Sequence, residues 1–165
     1  MTSPLPPVRR IVTGHNNAGQ AIIKYDDNVA AKIVPHGAAL RSLWMTDSSP
    51  ADLTSPGDNA GAQVGIVNNG SVFRIVDFPP RSSGHMHRTI SIDYAIIQKG
   101  TVVLVLDDRS TTSVGEGDVV EQQGTMHGWD NPTDEWVHLL VVLLPAKAHI
   151  VAGKELKTDT SSLGM

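Results

Sequence analysis

Gly84-His85-Met86-His87-Arg88-Thr89-Ile90-Ser91-Ile92-Asp93-Tyr94-Ala95-Ile96-Ile97-Gln98-Lys99-Gly100 is the stretch that decides the fold. It is read together with Gly117-Asp118-Val119-Val120-Glu121-Gln122-Gln123-Gly124-Thr125-Met126-His127-Gly128-Trp129-Asp130-Asn131. Both are short, rich in Val and Ile, and closed by glycines at which a chain turns, so each reads as β structure. Between them they carry three imidazoles and a carboxylate: His85, His87, His127 and Asp93. In a strand, residues two apart share a face, so His85 and His87 are expected to point one way and Met86 and Arg88 the other. Nitrogen and oxygen donors in this number form the ligand set of a first-row divalent metal.

Outward from these stretches, apolar segments recur between Gly, Asn, Asp and Pro clusters, and helical periodicity is nearly absent, so the expected class is all-β. Strands are expected at 9–13, 20–24, 30–35, 38–46, 71–78, 85–97, 101–107, 111–115, 118–122 and 135–144. Asn16-Asn17-Ala18-Gly19, Asn69-Gly70, Asp107-Asp108-Arg109 and Asp130-Asn131-Pro132 supply turn chemistry between them. The 165 residues suit one domain. Within it, 1–70 hold N-terminal strands and a Ser/Pro/Asp-rich loop at 47–61, 71–152 form the barrel core with both motifs, and 153–165 read as a polar, flexible tail. The loop is either a lid or a passive surface excursion.

A net charge of −4 with scattered lysines and arginines leaves no basic footprint for nucleic acid. The absence of cysteine excludes disulfides, a thiolate nucleophile and sulfur-held zinc. The start of the chain lacks the apolar core of a secretory signal, and the longest apolar run, Leu139 to Leu144, is far too short to span a bilayer. The expectation is a cytoplasmic protein whose partner is a small molecule, with neither nucleic acid nor membrane.

The spacing resembles the paired motifs of the cupin superfamily: His-x-His, a carboxylate seven residues before a glycine, and later Gly-x-x-His-x-x-x-Asn. Asp93 stands seven before Gly100, and Gly124, His127 and Asn131 fit the second pattern. Within cupins, Ile11-Val12-Thr13-Gly14-His15, His87-Arg88-Thr89, Asp93-Tyr94 and the stretch from Gly117 to Trp129 look like a group of small single-domain proteins, some from fungal polyketide pathways, called cupin-domain oxidoreductases. The resemblance implies a cupin-type jelly-roll β-barrel (double-stranded β-helix). It also implies a metal at His85, His87, Asp93 and His127, with Fe(II) favoured and Zn(II), Mn(II) or Ni(II) as alternatives, and a homodimer joined through the N-terminal strand around 8–12. The chain departs from the general pattern in having Asp93 where glutamate is usual. One methylene shorter, Asp93 is either a metal ligand or an acceptor that orients a water or a histidine. Gln122 and Gln123 replace the usual proline region and are candidates to face the cavity.

Three further residues are candidates for chemistry. His138, interrupting the apolar run of the last long strand, either faces the cavity as an acid or base or lies on the outer face. Tyr94 either supplies a phenolic proton beside the metal or packs. Arg74 either clamps a substrate carboxylate or enolate or sits exposed or at a subunit contact. Trp129 and Met86 read as apolar packing, and His15, His36 and His149 are assigned no role at the metal. The leading function is a metal-dependent oxidoreductase acting on a small oxygenated aromatic or polyketide-like substrate in secondary metabolism, where the redox step rests on the resemblance. The alternatives are a non-redox lyase, isomerase, dehydratase or cyclase using the same site, and a small-ligand-binding barrel without turnover.

Overall fold

The alternation of apolar and polar residues becomes antiparallel β structure in the computed structural model, which describes residues 5–35, 37–54, 57, 58, 60 and 69–163. His36 and residues 55, 56, 59 and 61 of the 47–61 loop lie outside the described residues. The strands are β1 (Val8–His15), β2 (Ala21–Val29), β3 (Lys32–Ile33), β4 (Ala39–Met45), β5 (Val72–Phe78), β6 (Ser91–Lys99), β7 (Thr101–Leu106), β8 (Thr111–Gly115), β9 (Val119–Gln123), β10 (His127–Asp130), β11 (Val137–Pro145), β12 (Ile150–Val151) and β13 (Lys154–Glu155). Among the described residues no helix is long and apolar enough to cross a membrane.

A six-stranded sheet, ordered β3-β4-β5-β11-β6-β9, faces a three-stranded one, ordered β10-β7-β8, and the core fills the space between them. This is the all-β, cupin-type jelly roll that the motifs imply. β11 lies between β5 and β6 and shows why the fold closes. Its odd-numbered residues Val137, Leu139, Val141 and Leu143 are all buried in the core, where they meet Val102, Val114 and Trp129 of the opposing sheet. Gly100, at φ 85°, is the single residue between β6 and β7, a backbone conformation that a Cβ would strain.

β1 and β2 form a separate two-stranded ribbon held partly by charge. Arg9 donates to both oxygens of Asp26 at 2.8 and 2.7 Å. Buried Arg10 donates to Asp27, to Asp58 at 2.8 and 2.7 Å, and to the Leu43 carbonyl at 3.2 Å, tying the ribbon to β4 and to the following loop.

The structure corrects three readings. The expected strand 85–97 begins only at Ser91, and the histidine pair before it lies in a loop. The short strand β10, which carries His127, was not foreseen. Residues 153–165 read as a flexible tail, but Lys154–Glu155 pair with Ile150–Val151 in a hairpin and the chain then runs back along the histidine loop. There Asp159 exchanges two backbone hydrogen bonds with Arg88, each 2.8 Å, and the Thr158 hydroxyl accepts the Ile90 amide at 3.3 Å.

Candidate functional site

The two motifs meet through the backbone. His87 and His127 face each other as an antiparallel bridge, each amide donating to the other's carbonyl at 2.9 Å. Directly opposed residues in such a pair project to the same side, and the two imidazole centroids are 4.4 Å apart. Before His87 the chain lies flat on β10: a Cβ on Gly84 would stand 2.3 Å from the Trp129 nitrogen, so only glycine permits the approach. The Gly84 amide also donates to Asp130 at 2.7 Å. Fully buried Asn131 ties together the segments on either side, the end of β5 and the turn before β11. Its amide group donates to the carbonyls of Phe78, Pro79 and Glu135 at 3.2, 2.9 and 2.7 Å, and its side-chain oxygen accepts from Thr133.

The pair borders a cavity of about 350 Å³ inside the barrel. Part of its wall is apolar, with Leu40, Val76, Phe78, Leu139, Val141 and Leu143, and a polar group of Arg74, His85, His87, Asp93, Gln122 and His127 also faces it. Such an apolar chamber with a few convergent polar groups is the usual form of a small-molecule site.

Burial sets the charge state of these groups. The His127 imidazole is pushed down to about 4 by desolvation, with the His87 charge adding to the shift and a contact with the Thr125 carbonyl opposing it. His87 is lowered chiefly by the same desolvation. Both rings are therefore neutral at physiological pH. Each Nδ1 lies beside a backbone carbonyl, His87 on His85 at 2.8 Å and His127 on Thr125 at 3.0 Å, so the proton sits on Nδ1 and the Nε2 lone pair is left for a ligand. Asp93 is raised to about 6 by burial, against the Ser91 hydrogen bond and the Arg74 charge, and its Oδ1 is buried without a hydrogen-bond partner. Directly across from Asp93 on β9 stands Gln122, whose Nε2 is likewise buried and unpartnered.

The structure distributes the sequence candidates unevenly. His87, His127 and Asp93 line the cavity, and so does Arg74. His85 lines it too but is exposed, because its segment is a loop and strand alternation does not pair it with His87. Among the described residues no group of three or more His, Asp or Glu side chains stands in an arrangement that could hold a metal ion as it is. His138 does not reach the cavity: it alternates with Val137 and Leu139 and points to the opposite face of the sheet, where its Nδ1 is 2.6 Å from Asp77. Asp77 also pairs with buried Arg41. Tyr94 neighbours Asp93 and so faces outward, 41% exposed, on a face from which it cannot pass a proton to the site. Of the two glutamines, Gln122 faces the cavity and Gln123 is exposed. Trp129 packs edge-on against His127, at 6.3 Å and 78°. Leu163 was missed by the sequence reading and lines the cavity from the C-terminal segment. Its only signal was a lone apolar side chain in a polar run.

No family model matches the chain. The chain is 34% identical to phomopsin biosynthesis cluster protein C' of Diaporthe leptostromiformis, over 94% of this chain and 87% of that one. It is 32% identical to the cupin-domain-containing oxidoreductase virC of Hypocrea virens, over 91% and 84% of the two chains. The corresponding values for the cupin-domain-containing oxidoreductase srdB of Neurospora crassa are 32%, 97% and 86%. Among solved structures, a cupin domain from Schizosaccharomyces pombe superposes with a TM-score of 0.55 at 11% identity, covering 83% of this chain and 87% of that one. The polyketide cyclase RemF of Streptomyces resistomycificus superposes with a TM-score of 0.51 at 20% identity, covering 79% and 78%. At these identities the structural likeness shows the fold alone.

Proposed function

This chain belongs to the cupin-domain-containing oxidoreductases, relatives of which sit in fungal secondary-metabolite clusters, and on that footing we propose that it is a metal-dependent oxidoreductase acting on a small oxygenated aromatic or polyketide-like substrate. The observation that carries this reading is the juxtaposition of His87 and His127, both neutral and both with Nε2 free, in a cavity where the buried Asp93 oxygen lacks a partner. Two imidazole nitrogens and a carboxylate oxygen are the donor types that a divalent ion such as Fe(II), Zn(II), Mn(II) or Ni(II) takes, with Fe(II) favoured for redox work, and these side chains would have to draw together to hold one. His85 joins them if the exposed loop closes inward. When bound, such an ion supplies Lewis acidity and, if iron, a redox couple.

The rest is done by the chain itself. Leu139, Val141 and Leu143 exclude water and hold a flat apolar body. The Thr125 and His85 carbonyls keep the two imidazoles in one tautomer. Asp93, raised to about 6, is able to accept or return a proton near neutral pH. That last property also favours a second reading, in which the same groups enolise a substrate without net oxidation, as a lyase, isomerase, dehydratase or cyclase. The substrate is a small molecule in the cytoplasm, with neither nucleic acid nor membrane as partner. The exposed isoleucines of the β1–β2 ribbon favour a homodimer.

Elemental analysis of untagged protein purified without added metal tests the reading. Near-stoichiometric metal in the parent and its loss in His127→Ala are expected, since removing one imidazole cripples a site of so few ligands. Full metal content in the variant refutes it. Oxygen uptake with phenolic and polyketide substrates supports the redox form, whereas anaerobic turnover that survives replacement by zinc supports the non-redox one. A ligand-dependent melting shift with no product under any condition leaves a binding protein.

A further inference from the structure

The arginines that reach into the interior of this chain are not treated alike: Arg10 and Arg41 are buried, and Arg74 is half-buried. Arg10 is held by Asp27 and Asp58, and Arg41 by Asp77 and by the carbonyls of Leu5 and Pro6 at 3.0 and 3.3 Å. Arg74 lines the cavity and makes neither a hydrogen bond nor an ion pair among the described residues, and its Nε is wholly buried. Among the described residues Asp93 is the one acid whose charge acts on it, from β6, with β11 between the two strands. A guanidinium withdrawn from bulk water without a partner is costly, and the fold leaves it so on the wall of the cavity. Its cross-strand neighbour Val141, with Val76 and Phe78 on its own strand, forms an apolar floor beside it.

We propose that Arg74 is the specificity-determining residue of the cavity: its fork of donors takes an acidic oxygen of the ligand, a carboxylate or enolate, while the ligand's flat apolar body lies on Val76, Phe78 and Val141. The inference rests on the reading of the cavity as the substrate site, but it does not require the metal. A planar guanidinium matches a carboxylate with two parallel hydrogen bonds, and a site built around such a donor rejects a neutral analogue of the same shape. The substrate class is thereby narrowed to aromatic or β-keto acids and their enolates, as against neutral phenols or ethers.

The experiment is calorimetric titration of the full chain, stripped with chelator, with naphthoate and with naphthalenemethanol of the same substitution pattern, at neutral pH. The parent is expected to bind the acid at least about tenfold more tightly than the alcohol, the size of one charge-assisted hydrogen bond. Arg74→Met is expected to abolish that preference, Arg74→Lys to retain part of it, and the exposed control Arg81→Met to leave it intact. Equal binding of acid and alcohol by the parent, no measurable binding of the acid, or a preference that survives Arg74→Met overturns the proposal. If Arg74→Met fails to fold, the parent comparison and Arg74→Lys still decide: an undiminished preference in the lysine variant refutes the requirement for the fork. Metal content is measured separately, so loss of the metal reading with the acid preference intact, or the reverse, tells the two failures apart.

Discussion

At the scale of single residues, the shape of the cavity depends on side chains that do not line it. Asn131 makes five hydrogen bonds from a fully buried position, three of them to carbonyls of the segments that flank the histidine loop and the last long strand. Replacing it with alanine removes all five bonds at once and leaves the Pro79 and Glu135 carbonyls only the hydroxyls of Ser82 and Thr133 as side-chain donors. Asn131→Ala is therefore expected to lose about 3 kcal/mol of stability in denaturant unfolding, the cost of five buried hydrogen bonds lost together and partly compensated. A loss below about 1 kcal/mol would mean that the surrounding loops re-pair without it. That His87, His127 and Asp93 come together on one cavity wall was legible, because their residue types and spacing are themselves the signal. His138 and Tyr94 were not, because a histidine or tyrosine in a strand shows its phase only once its neighbours' faces are known. Val137 and Leu139 point inward and so turn His138 to the other face.

At the scale of elements, strands with strong apolar alternation were readable almost to the residue, as with β4, β5 and β11. The failures lie where pairing is polar or distant. β2 runs on to Val29 through Lys24-Tyr25-Asp26-Asp27-Asn28, a run with no apolar alternation, because Arg9 and Arg10 on β1 supply its cross-strand partners. β10 exists because β7 lies beside it. The C-terminal segment is ordered by backbone bonds to the histidine loop, which leave no mark in composition. Deleting residues 157–165 is expected to strip protection from the Arg88 and Ile90 amides in hydrogen exchange, since their acceptors are the Asp159 carbonyl and the Thr158 hydroxyl, while β5 and β11 exchange as before. Unchanged protection at both amides would show that the loop holds itself. The ribbon has its own titrating clasp. The Arg10 guanidinium holds Asp58 below the usual carboxylate range. A carboxyl depressed on folding stabilises above its unfolded value, and that contribution is lost as pH falls through the folded one. The acid side of a melting-temperature profile, below about pH 4, should thus fall less steeply in Asp58→Asn than in the parent.

At the scale of the whole molecule, the β1–β2 ribbon is a sheet separate from the two main ones, and among the described residues its two strands pair only with each other, so each leaves an edge without a strand partner there. Ile11 and Ile23 are 52% and 58% exposed, and the register pairs Thr13 with Ile23, which puts Ile11, Thr13 and Ile23 on one face. An open edge beside exposed isoleucines is the combination that strands use to add a partner, and in a single-chain protein the partner always at hand is a second copy. Light scattering coupled to size exclusion is expected to return twice the chain mass for the parent, and the single mass for Ile11→Glu combined with Ile23→Glu. Charges on that face cost little in a monomer but face each other across a two-fold axis in a dimer, so the variant should stay folded while it dissociates. A parent that elutes at the single mass removes the dimer. A charged variant that remains dimeric moves the contact to another face of the barrel and leaves the ribbon's isoleucines without that role.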